Sequence, residues 1–187
     1  MNRIFTPLVA FAALFMLATA VLGLSLRLYD IRDASDLDAQ AWAAWHRQAG
    51  VMAALVVAFV NSIVVTYFVG TSRWCKEVVE AYSLSPEYVL RSNRLKRGTF
   101  PYALLGILAM VGVVALGGAA DPAARLQLPP VSGLTWTNFH FVGATLALCF
   151  ILYTAFIEAH NIRQNHVVIS EVMAQVQQIR KQRGLDD

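Results

Sequence analysis

From Trp136 to Asn161 the chain reads WTNFHFVGATLALCFILYTAFIEAHN, an apolar run of bilayer-crossing length with polar residues at both ends. At about 3.6 residues per turn, His140 and Glu158 stand roughly five turns apart on one face. Gly143, Ala144, Ala147, Ile151 and Thr154 lie between them on that face. Small residues with an ionisable group at each end make a face suited to protein contact and not to lipid.

Three further runs have the same character, at about 4–26, 49–70 and 100–119, with the fourth at about 136–160. The chain is 57% hydrophobic and 14% charged, whereas soluble domains average about 45–50% and about 25%. The fold class expected is therefore an all-α integral membrane protein, a four-transmembrane-helix bundle in a single domain of 187 residues. The first run is expected to be an uncleaved anchor, since it outlasts the roughly 7–15 apolar residues of a signal core. No internal repeat is evident, and spans one to two resemble spans three to four only loosely in spacing.

Lys and Arg set the expected topology. Arg3, the six basic residues of the 71–99 connection and Arg163, Arg180, Lys181 and Arg183 fall on one side. Arg27, Arg32, Arg47 and Arg125 fall on the other. Both termini and the basic connection are thus expected in the cytoplasm, of a cell inner membrane. The same partition makes the net charge of +3 topogenic, so no nucleic-acid partner is expected.

Residues 71–99 are expected to form two short helices broken at about 83–85, with Trp74, Val78 and Tyr82 resting on the membrane surface. In the tail, Ile169, Val172, Val176 and Ile179 form an apolar seam under two heptads long, which predicts a helix packing on the basic connection or on a partner. Gly184 is its expected stop. Close helix packing is assigned to the ridge through Gly50, Ala54 and Ala58, to Gly143 and Ala147, and to Asn61, a buried amide in need of a partner.

Enzyme signatures such as HExxH, GxSxG and the phosphate-binding loop are absent. His46 and His140 fall near the outer ends of spans two and four, which are expected to be adjacent and antiparallel. As a facing pair they would be axial ligands of one b-type haem, or flank a quinone. The simpler expectation is two interfacial histidines, wet at one edge. A metal site joining them to Asp30, Asp33, Asp36 and Asp38 matches no calcium-loop signature, and no metal is expected. Glu158 with His160 is a candidate proton relay, or Glu158 an ion-pair partner of Arg3, Arg73 or Arg97. The leading functional expectation is a non-catalytic scaffold or accessory subunit. It would dock another membrane or cytoplasmic protein, or a second copy of itself, through its cytoplasmic helices. The alternative is a membrane redox subunit, and a transporter subunit comes third.

Overall fold

The computed structural model describes residues 2–28, 37–124 and 128–185, with no account of the Asn2, Arg3 and Ala39 side chains. It is all-helical, in four helices: α1 (Asn2–Leu28), α2 (Leu37–Tyr82), α3 (Glu87–Ala120) and α4 (Trp136–Gln182). All four are long and apolar enough to cross a membrane. At about 1.5 Å per residue, the 46-residue α2 and the 47-residue α4 are each about 70 Å long. A hydrocarbon core of about 30 Å takes up less than half of that. Each must therefore project far beyond any bilayer it crosses.

The projecting parts form a lobe at the basic end. The two short helices expected within 71–99 are the continuations of α2 and α3. The break itself falls where the sequence put it. Ser83 takes a left-handed φ of 54°, Leu84 N–H bonds back to Val79 O at 3.0 Å, and Ser85 Oγ accepts from Glu87 N–H at 3.3 Å. Trp74 and Val78 pack in the lobe instead of resting on a surface, against Cys75, Val79, Val168 and Val172. The tail seam packs inward as well: Val172 and Val176 are buried, with Asn165 and Val168 before them. Gly184, at φ 66°, ends the last turn as expected.

α1 packs on α2 and α4, α3 packs on the same two, and α2 also meets α4 across the bundle. Among the described residues α1 and α3 do not touch. His46 lies beside His140 and Tyr67 and Thr71 beside Asn165, so α2 and α4 run in the same direction. The antiparallel pairing expected of them is corrected: with a full span between them, each must re-enter from the same side.

A second correction concerns repetition. Shifted by 94 positions, the first half of the chain overlays the second without a gap. Arg3, Pro7, Met16, Gly23, Trp42 and His46 match Arg97, Pro101, Met110, Gly117, Trp136 and His140. Burial follows the same shift: Met16 with Met110, Ala53 with Ala147, Val57 with Ile151, Val64 with Glu158 and Phe68 with Ile162 are all buried. Two helix pairs of the same direction repeat about an axis along the bundle, the parallel kind of membrane repeat.

The core ridge of α2 is Ala53, Val57, Val60, Val64 and Phe68. The small-residue ridge expected to carry it, Gly50, Ala54 and Ala58, is only half-buried. α2, like α4, contacts all three other helices, so its central line must fill space, and valine and phenylalanine do that better than alanine. Gly50 faces α1, where an added Cβ would meet Thr19 at 3.9 Å. Gly143 is half-buried as well. Ala147 and Asn61 are buried as expected.

Candidate functional site

His46 enters from the second turn or so of α2, past the exposed Trp42 and Trp45, and His140 from the first turns of α4. The parallel course of these two helices brings the rings together, with centroids 6.1 Å apart and planes at 73°. Each ring is held in the same way. His46 Nδ1 lies 3.2 Å from the Thr19 carbonyl of α1, and His140 Nδ1 lies 3.2 Å from the Val113 carbonyl of α3. A carbonyl only accepts, so Nδ1 of each neutral ring carries the proton and Nε2 keeps the free lone pair.

One turn along from each carbonyl is a glycine. A Cβ on Gly23 would stand 2.7 Å from His46 Cε1, and one on Gly117 would stand 3.1 Å from His140 Cε1. Only a bare backbone lets an imidazole lie this close to its helix. Histidine, carbonyl and glycine thus recur with one geometry in both halves, 94 positions apart.

Two polar ties flank the pair. Arg27 Nη2 donates to Asn138 Oδ1 at 3.0 Å, and the Arg27 guanidinium lies 4.6 Å from the centre of the Phe141 ring. Arg47 meets Asp121 at 3.4 Å. The first joins the end of α1 to the start of α4, and the second the end of α3 to the start of α2. Of the aspartates proposed as metal ligands, Asp30, Asp33 and Asp36 lie outside the described residues. Among the described residues no cluster of three metal-ligating groups occurs.

No known protein family, curated protein or solved structure matches the chain. Its chemistry has to be read from its own geometry. Two imidazoles on opposite sides of one metal ion, each about 2 Å from it, have ring centres roughly 6 Å apart. Donor type, ring spacing and carbonyl anchoring of Nδ1 are those that two histidines holding a haem iron would show, and the 6.1 Å edge-to-face spacing is equally that of two packed rings.

Glu158 lies deeper, on the same face of α4, and is 2% exposed. Its Oε1 has no hydrogen-bond partner among the described residues. Of the arginines expected to pair with it, Arg73 bonds Glu77 instead at 2.8 Å, and the Arg3 side chain lies outside the described residues. His160, two residues on, points outward and is exposed, so the carboxyl and the imidazole are not brought together. Residues two apart on a helix cannot share a face.

The sequence reading missed the polar junction just beyond. Asn165 Nδ2 donates to Tyr67 Oη (3.2 Å) and Thr71 Oγ1 (2.9 Å), while its Oδ1 accepts from Ser92 Oγ (3.2 Å). Ser92 also lies 3.3 Å from Ser72 Oγ, and Asn161 Nδ2 donates to Thr99 Oγ1 at 3.0 Å. The available signal was the 3-4 spacing of Glu158, Asn161 and Asn165 along one face of α4.

Proposed function

We propose that this chain is a membrane redox subunit that binds one b-type haem between His46 and His140. The observation that carries the reading is the pair itself: two half-buried imidazoles 6.1 Å apart, each fixed through Nδ1 by a neighbouring helix. The chain has no C-x-x-C-H attachment motif, so the haem would be held without covalent bonds. When bound, such a group supplies one-electron transfer. The protein's part is ligation by the two Nε2 atoms, ring orientation by Thr19 and Val113, and close approach at Gly23 and Gly117. Arg27, at the same end and without an acidic partner among the described contacts, would supply positive charge for a haem carboxylate.

We place the protein in the inner membrane of a bacterial-type cell, crossing it four times, with both termini and the basic lobe in the cytoplasm. The histidine pair then lies near the outer face. One haem near one face does not make a wire across the membrane, so the subunit would exchange electrons with a quinone or a redox partner on that side. The scaffold reading has less to stand on, because Val172 and Val176 of its docking seam are buried within the chain's own lobe.

Haem titration of the detergent-purified protein tests the proposal. One haem per chain is expected, with affinity cut roughly tenfold or more in His46→Ala and in His140→Ala alike. Equal binding by wild type and both variants would overturn it.

A further inference from the structure

Asn61 and Glu158 interrupt an otherwise repeated core. Their counterparts in the other half are Ala155 and Val64, so neither polar group is required by the shared architecture. Both are buried, at 4% and 2% exposure. Asn61 Nδ2 donates to Val57 O at 2.9 Å, which leaves its Oδ1 without a partner, as is Glu158 Oε1. The two side chains line one cavity of about 20 Å³ between α1, α2 and α4, enough for a single water molecule.

Two orphaned acceptors facing one small space lack hydrogen-bond donors. The other side chains lining the cavity are alanine, valine, leucine, isoleucine and Thr154, whose hydroxyl is committed to Ile151 O at 3.0 Å. Among the described residues, no charged or titratable group other than Glu158 faces the cavity from α1, α2 or α4. α3 adds none beside Asn61, where it presents Gly106. A carboxylate so placed would be ionised without a counter-charge among the described residues, which a bundle core strongly disfavours. A proton on Glu158 removes that charge and supplies one donor, and a water supplies two more. A sodium ion would need about six oxygens, more than Glu158, Asn61, Thr154 and one water provide.

We propose that Glu158, Asn61 and one water form a proton-holding site inside the bundle. The next polar groups along α4, Asn161 and Asn165, lie one and two turns toward the basic end, each bonded to hydroxyls of α2 or α3. Beyond Asn165 the seam reaches Ser92 and Ser72 at the root of the lobe. In the other direction the core up to the histidines is apolar. The proton is therefore exchanged with the basic side of the molecule. This site does not depend on the haem proposal.

Infrared difference spectroscopy of the full-length protein in lipid vesicles, with Glu158→Gln as the reference, tests it. The expected result near neutral pH is a carbonyl band of a protonated carboxylic acid, absent from Glu158→Gln, that shifts in heavy water. Asn61→Leu should move the frequency of that band, which carries the assignment if Glu158→Gln does not fold. Asn161→Leu should slow its deuterium shift. A wild type with no such band, or thermal stability raised by sodium in wild type but not in Glu158→Gln, would overturn the proposal.

Discussion

The two ends of this bundle are built on different rules. At the histidine end, the halves of the chain share one geometry: histidine to carbonyl at 3.2 Å in both, with a glycine under each ring. At the basic end, Tyr67 and Thr71 stand where the other half has Asn161 and Asn165, and instead of mirroring that half Tyr67 and Thr71 both accept from Asn165, while Asn161 donates to Thr99. A pair of identical groups meeting at an axis is what a single shared ligand needs. A junction of unlike hydroxyls and amides is what a fixed register needs, since each donor has one specific acceptor. One end is thus symmetric between the halves, and the other has departed from the repeat into a lobe.

Five variants would break or sharpen this contrast. The largest effect is expected from Asn165→Leu, which strands Tyr67, Thr71 and Ser92 without their common partner. Unfolding in mixed micelles should register a loss of roughly 2–3 kcal/mol, with haem binding retained if the lobe still folds. Gly23→Val attacks the other end, where an added Cβ would stand 2.7 Å from the His46 ring. Overpacking of this kind costs roughly 1–3 kcal/mol, and here it should also displace the imidazole and abolish haem binding. Gly117→Val should behave alike, since the two positions are equivalent; unequal effects would break the symmetry argument.

The double variant Asn61→Ala, Glu158→Val restores the repeat in the core by exchanging two orphaned acceptors for apolar groups. It should be neutral or stabilising, by up to about 1–2 kcal/mol, as read from the unfolding midpoint. Marked destabilisation would mean that the polar pair is structural. The smallest effect belongs to Arg91→Met. The bidentate pair of Arg91 with Glu171 joins α3 to α4 in the lobe, and hydrogen bonding to Glu171 pushes the guanidinium pKa up. Both side chains are more than a third exposed, so its loss should cost about 0.2–1 kcal/mol.

Much of this fold was legible because lipid-length apolar runs leave few alternatives. The four spans, the break at Ser83–Ser85 and the stop at Gly184 were all readable from length and turn chemistry. The inward ridge of α2 was not, because small residues recur every fourth position beside it and suggest close contact on their own. In the lobe, Ser72 and Cys75 are buried but weakly hydrophobic, so the brighter Trp74 and Val78 edge drew the assignment. His46 and His140 stood out as the histidines near the outer span ends. Their glycines did not: Gly23 is lost in an apolar stretch unless it is compared with Gly117, 94 positions on. The repeat went unseen because the identities are sparse and half of them fall at positions where any apolar residue serves.

The most direct measurement is the reduced-minus-oxidised visible spectrum of the full-length protein, purified in detergent from cells with ample haem. A ferric Soret band that sharpens and shifts on reduction with dithionite, with the narrow α band of a six-coordinate b-type haem, is the predicted result. It should be lost in His46→Ala and in His140→Ala. A spectrum with protein absorption alone, or a haem signal that survives both substitutions, would contradict the account.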